Sequence, residues 1–142
     1  MALLRDQDRE AVRKRLEELH HPVRLVHFTQ TLGCDYCPEA RSLLEEVTAL
    51  ANQVSLQVFD LHVDAEEAAK HGVDKVPATV ILSDGHDHGI LYYGLPSGYE
   101  FGSLLETMHL VSSGDSGLSQ ASRDRLAQVR EPLLLQVFVT PT

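Results

Sequence analysis

The two cysteines of this chain stand three apart, as Cys34-Asp35-Tyr36-Cys37, and the segments on either side of them constrain the fold more than anything else in the sequence. Upstream, Val23-Arg24-Leu25-Val26-His27-Phe28 is a short, valine-rich apolar run of the kind that forms a buried strand. Downstream the period changes. Ala40, Leu43, Leu44, Val47, Leu50 and Ala51 recur at helical spacing, while Arg41, Glu45 and Glu46 fall on the opposite face. Pro38 suits the first helical turn, where its missing N–H costs nothing, or marks a kink slightly further in. A strand that runs through Thr29–Gly33 into such a helix delivers both cysteines to the helix N-terminus.

The rest of the chain extends this pattern. Leu4, Val12, Leu16 and Leu19 predict an amphipathic helix over residues 3–19, ended by His20-His21-Pro22. Val54–Asp60 alternates with period two and reads as a second strand, followed by a short helix at Ala65–His71 that Gly72 closes. Val76-Pro77 heads a third strand, Ala78–Leu82. A long loop, Ser83–Gly89, then leads to a fourth strand at Ile90–Tyr93, and Gly98–Val111 is helical, with Phe101, Leu104, Leu105, Met108 and Val111 inward. The order β-α-β-α-β-β-α behind one extra N-terminal helix predicts an α/β fold. Its opening crossover is right-handed and parallel, its closing hairpin antiparallel, and its four-stranded sheet therefore mixed.

Residues 1–112 form this unit, and residues 113–142 read differently. After the linker-like Ser112–Gly117 come a helix at Ser119–Arg130, Pro132 and an apolar strand at Leu133–Val139. This repeats the opening of the chain: helix, proline, apolar strand, with Phe28 and Phe138 at matching places and Thr-Gln-Thr answered by Thr-Pro-Thr. The repetition predicts the start of a second, truncated unit. The alternative is a strand that joins the sheet edge or pairs with a second copy in a homodimer.

Composition excludes several functions. A formal charge of −9 argues against nucleic acid, and the one basic cluster, Arg13-Lys14-Arg15, is followed at once by Glu17-Glu18, as on a solvated helix face. No run of ~18 apolar residues is present, which argues against a membrane span. The first twenty residues lack the apolar centre of a secretory signal, so a cytoplasmic setting is expected. Cytosolic thiols are not kept for structural bridging, and so short a loop gains little entropic stabilisation from closure. The pair is therefore expected to be functional.

Thiol–disulfide exchange needs a thiolate to attack and a second thiol to resolve the mixed disulfide. At a helix N-terminus the dipole and free N–H groups favour the Cys34 thiolate, with Cys37 about one turn later as the resolving thiol. The Asp35 carboxylate opposes that ionisation and points to a more reducing pair. The competing chemistry is half of a zinc site, for which His86 and His88 are the best further ligands, although their Gly/Asp-rich surroundings read as a solvated hairpin loop. His20, His21 and His71 read as surface residues, and His27 as a satisfied histidine of the first strand. Pro77, at the head of a strand, is either an ordinary trans proline or a cis one.

The strand, Cys34-Asp35-Tyr36-Cys37-Pro38, the helix and the distant Val76-Pro77 together resemble the thioredoxin/glutaredoxin superfamily. Within it, the chain is similar to the N-terminal unit of the glutaredoxin-like protein disulfide oxidoreductases, which join two thioredoxin-fold units in tandem. Tyr93–Phe101 resembles a segment of that first unit, and Val137–Thr142 the strand that leads into the second cysteine motif. The resemblance implies a cis Pro77 that borders, with Val76, the groove facing Cys34, the Val76 backbone pairing with the substrate chain. It implies that Tyr36 shields the cysteines. The substrates are then protein disulfides, exchanged with no metal and no organic cofactor and in the reducing direction, with a thioredoxin-reductase-like electron donor. Two rivals remain: an electron relay for one dedicated partner such as a peroxide-reducing system, and a non-catalytic docking module. The pattern departs from its relatives in having Gly33 where thioredoxins carry tryptophan, His27 near the place of their buried acid, and no recognisable glutathione-binding segment.

Overall fold

In the computed structural model, residues 3–140 are described. Helix α1 (Asp6–Glu17) leads to strand β1 (Val23–Thr29), helix α2 (Cys37–Thr48), strand β2 (Val54–Asp60) and helix α3 (Ala65–Lys70). Strands β3 (Ala78–Ser83) and β4 (His86–Tyr93) form a hairpin, and helices α4 (Tyr99–Ser113) and α5 (Gln120–Leu126) follow. The sheet runs β2-β1-β3-β4, with β1 and β2 parallel and the other neighbours antiparallel. This is the mixed four-stranded α/β sheet that the sequence predicts.

Alternation along β1 divides the core in two. Val23 and Leu25 pack on one face with Val12 and Leu16 of α1, Leu44 and Val47 of α2, and Leu104 and Met108 of α4. Val26 and Phe28 pack on the other with Val80, Leu82 and Ala68 of α3. Ten of these side chains (Leu16, Val23, Leu25, Val26, Phe28, Leu44, Val47, Val80, Leu104, Met108) are at most 1% exposed. Burial of that kind contributes about 1.5–3 kcal/mol per large apolar side chain. Central β1 is thereby buried on both faces, and whatever leaves its end is held on a rigid platform.

Three sequence readings are corrected here. The expected loop Ser83–Gly89 is instead a tight turn: Asp84 and Gly85 both adopt positive φ, 51° and 74°, the pairing a two-residue hairpin of primed type requires. His86, Asp87 and His88 therefore lie on β4. The polar, glycine-bracketed composition hid the strand because an exposed edge strand needs no apolar alternation at its tip. Ser112 is not linker but the buried end of α4, its Oγ donating to the His21 carbonyl at 2.8 Å and accepting the His21 N–H at 2.7 Å. Residues 133–139 are not a strand. They carry no regular secondary structure and are exposed, Phe138 at 89%, and α5 before them buries no residue. A strand is completed by a neighbour, and no strand among the described residues pairs with this one. Pro141 and Thr142 of the Thr-Pro-Thr ending lie outside the described residues.

Candidate active site

The sheet register collects four loops at one end. Thr29 pairs with Asp60, Phe28 with Ala78, and Ala78 with Tyr93. Residues 30–36 leave β1 there, 61–64 leave β2, 72–77 enter β3 and 94–98 leave β4. Cys34 lies in the first of these, Cys37 directly after it opens α2, and the two are joined by a disulfide with a Cα–Cα distance of 5.5 Å. Cys37, the first residue of α2, is 1% exposed, whereas Cys34 is half-buried and reachable. Asp35 and Tyr36 are both exposed between them. Pro38 occupies the first turn of α2, as its missing N–H allows.

The loop geometry depends on residues that the motif does not announce. Gly33 holds φ at 70°, a left-handed conformation that side chains disfavour, directly before Cys34. The Gln30 side-chain amide donates to the Leu32 carbonyl at 2.8 Å and more weakly to that of Gly33, closing the loop on itself. In the neighbouring turn Asp60 accepts the N–H groups of His62 and Val63, and Asp64 accepts that of Asp60. Turn-forming Asp is a familiar sequence signal. Nothing local marks Gln30.

The Val76–Pro77 peptide is cis, and the Pro77 carbonyl accepts the Gly94 N–H at 2.8 Å, tying the entry of β3 to the exit of β4. Just upstream, the Tyr93 hydroxyl donates to Asp74 at 3.1 Å and Lys75 to the same oxygen at 2.7 Å, with the ammonium 4.6 Å from the Tyr93 ring centre. The bond from Lys75, then that from Tyr93, holds the Asp74 carboxyl below the usual carboxylate range. This three-residue brace, invisible in the sequence, fixes the segment that carries Val76 and Pro77.

His20 and His21 are exposed as expected, and His27, His71 and the His86–His88 pair fall in three different places. His27 is fully buried on β1; its Nδ1 lies 3.1 Å from the Thr79 hydroxyl, while Nε2 has no hydrogen-bond partner, so it is only half satisfied. Burial lowers its pKa to about 4, against the weaker opposing pull of the Ala78 backbone. His71 is not a surface residue: its side chain is 7% exposed, 3.0 Å from Asp87 on β4 and edge-on to Phe28. Asp87 is what draws it in. His86 pairs with Ser83, which pairs with Val23, so the His86–His88 strand end lies at the opposite edge of the sheet, about 20 Å from the cysteine loop by strand rise. His86 and His88 lie near each other, their ring centres 6.2 Å apart, but the fold does not bring them to the cysteines.

The same architecture recurs in known proteins. A protein disulfide oxidoreductase from Aeropyrum pernix superposes with a TM-score of 0.79 at 23% identity, over 90% of this chain and 56% of that one. The alkylhydroperoxide reductase protein AhpF of Enterococcus faecalis gives 0.79 at 22% identity, over 91% of this chain and 62% of that one. In sequence, the F component of the alkyl hydroperoxide reductase of Staphylococcus aureus is 25% identical over 118 residues, 82% of this chain but 21% of the relative. The chain thus spans about a fifth of the length of that relative. The thioredoxin domain profile matches residues 25–106, from β1 into α4, which takes in the cysteine pair, the Val76–Pro77 peptide and all four strands. With more than half of its length matched, and the disulfide on the loop that enters α2, this chain belongs to the thioredoxin domain family.

Proposed function

We propose that the chain exchanges disulfides with protein cysteines through Cys34 and Cys37. The observation that carries this reading is the asymmetry of the pair: a reachable Cys34 ahead of a Cys37 buried at the start of α2. In the reduced chain the Cys34 thiolate attacks a substrate disulfide. A bond forms between the two sulfurs and the substrate S–S bond breaks, its leaving thiolate taking up a proton. Deprotonated Cys37 then attacks the Cys34 sulfur, the second substrate thiolate departs, and the Cys34–Cys37 disulfide forms. Two electrons have passed to the substrate, and a reduced dithiol donor of the kind thioredoxin reductases supply must return them. Val76 and Pro77 align the substrate backbone, Tyr36 covers the pair, and Asp35 disfavours the Cys34 thiolate and so supports the reducing direction. No metal or organic cofactor enters these steps.

Insulin reduction with dithiothreitol tests the reading. Turnover above the reductant alone is expected for the wild type, with loss of at least about a hundredfold in Cys34→Ser, as for removal of a covalent nucleophile. An unchanged rate in the mutant overturns it. The likeness to the alkyl hydroperoxide reductase proteins favours a second reading, a relay that passes electrons to one peroxide-reducing partner; it predicts negligible insulin turnover. A cytoplasmic setting is proposed because the reducing direction needs a compartment that keeps the dithiol reduced. Residues 119–139 are proposed as the start of a second such unit, a helix followed by an apolar run that becomes a strand only when a neighbour pairs with it, on the strength of the repeated helix–proline–apolar pattern.

A further inference from the structure

Exposed apolar side chains on the folded unit are not scattered. Among the described residues up to Ser113, seven large hydrophobic or aromatic side chains are exposed, and five of them are Leu32, Tyr36, Val63, Tyr93 and Tyr99. Leu32 and Tyr36 belong to the loop after β1, Val63 to the turn after β2, Tyr93 ends β4 and Tyr99 begins α4. All five lie at the end of the sheet that carries the disulfide; the other two are Leu3 and Leu110. Leu32, Val63 and Tyr99 are each above 80% exposed, which a protein surface tolerates singly but gathers at one place where something docks.

The charge at this end has one sign. The four loops and the first turns of α2 and α4 carry Asp35, Glu39, Asp60, Asp64, Asp74 and Glu100 against the single ammonium of Lys75. Lys75 is spent on Asp74, and Asp60 and Asp64 on backbone N–H groups. Asp35 and Glu39, exposed on either side of Cys37, have no cationic partner among the described residues. From β2 to β4 the platform is about 14 Å wide at ordinary strand spacing, the span of about four residues of extended chain.

We propose that this surface docks an extended protein segment that carries lysine or arginine beside its reactive cysteine and an apolar residue within two positions of it. The proposal rests on the disulfide-exchange reading and names its substrate class. The apolar residue covers the Leu32–Tyr36 rim, and the cation stands against Asp35 and Glu39 while the substrate sulfur meets Cys34. Long-range attraction to so uniformly acidic a rim also concentrates basic partners before contact.

The test separates docking from chemistry. Three labelled octapeptides, one basic with a leucine, one acidic with a leucine and one basic with serine in place of leucine, each carry serine at the cysteine position. Their binding to the full-length oxidised chain is followed by fluorescence anisotropy. The basic leucine peptide is expected to bind about tenfold tighter than either of the others at low salt, with the charge preference fading at about 0.5 M salt, where the screening length falls to a few ångströms. Asp35→Asn with Glu39→Gln is expected to remove the preference between the basic and acidic peptides, and Leu32→Ser that between leucine and serine. Equal binding of the basic leucine peptide and either of its comparators overturns the proposal. Reduction of the disulfide-linked forms of the same peptides by the reduced chain is measured in parallel. Selective binding without exchange leaves docking standing and refutes the chemistry, whereas exchange with unselective binding does the reverse.

Discussion

At His27 the fold keeps a titratable ring neutral. The ring is fully buried on β1, and burial lowers its pKa from 6.5 to about 4. The native ring stays unprotonated down to about pH 4, while in the unfolded chain it takes up a proton below about 6.5. In that window the unfolded state binds more protons, so stability is fully present above the unfolded value and is lost as pH falls. The shift corresponds to up to about 3 kcal/mol. Urea midpoints of the wild type are therefore expected to drop between pH 7 and about 4.5 more steeply than those of His27→Leu. Parallel pH profiles in the two proteins would show that other groups dominate the acid sensitivity. The Thr79 hydroxyl loses its partner in that variant, so its stability at neutral pH is expected to fall by about 1 kcal/mol, which a comparison of slopes does not confuse with the pH effect.

At the scale of elements, the site is an intersection. β1 supplies the loop with the cysteines, α2 its buried anchor, β3 the Val76–Pro77 entry and β4 the residue that steadies it. Tyr93 belongs to β4 yet acts on the segment before β3, through its hydrogen bond to Asp74. Tyr93→Phe keeps the ring under Lys75 and removes that bond together with the weaker one the hydroxyl accepts from the Asp74 N–H at 3.4 Å. Unfolding by urea is expected to reveal a loss of about 0.5–1.5 kcal/mol. Amide hydrogen exchange over residues 74–76 is expected to accelerate while β1 is unaffected. Unchanged exchange at 74–76 would mean that the Gly94–Pro77 backbone bond holds the segment by itself.

Across the whole molecule, the folded unit and its tail have different relations to the core. The two apolar clusters draw on α1 through α4, and none of their members lies beyond Val111. The exposed Leu133-Leu134-Leu135 and Val137-Phe138-Val139 make a surface that a single copy leaves uncovered. Removal of residues 118–142 is expected to leave the thermal midpoint within about a degree, because no core burial is lost. The full chain is expected to self-associate with rising concentration on gel filtration, and the same deletion to abolish this. A large fall in the midpoint would reveal tail contacts with the core, and association that survives the deletion would place the contact elsewhere, β2 and β4 being the open edges of the sheet.

Much of this protein was legible in its residues because the physics that governs them is local. The switch from the apolar Val23–Phe28 run to the helical spacing of Ala40–Leu50 sets strand, loop and helix, and with them the position of both cysteines. A single pair in a chain without other cysteines narrows the chemistry to exchange or metal. Turn signals placed the hairpin, although Asp84-Gly85 proved tighter than the polar stretch around it suggested. Pairing between distant segments settled the rest. The His71 side chain is drawn inward because Asp87 arrives on another strand, and Ser112 is buried because the His21 backbone lies beside it. Tyr93 matters because the β3–β4 register sets it against Asp74. The 133–139 run shows the limit from the other side: its residues favour a strand, but a strand exists only where a second one completes its hydrogen bonds. The gathering of Leu32, Tyr36, Val63 and Tyr99 around the disulfide is likewise a product of register, since residues far apart in sequence share one end only once the strands have paired.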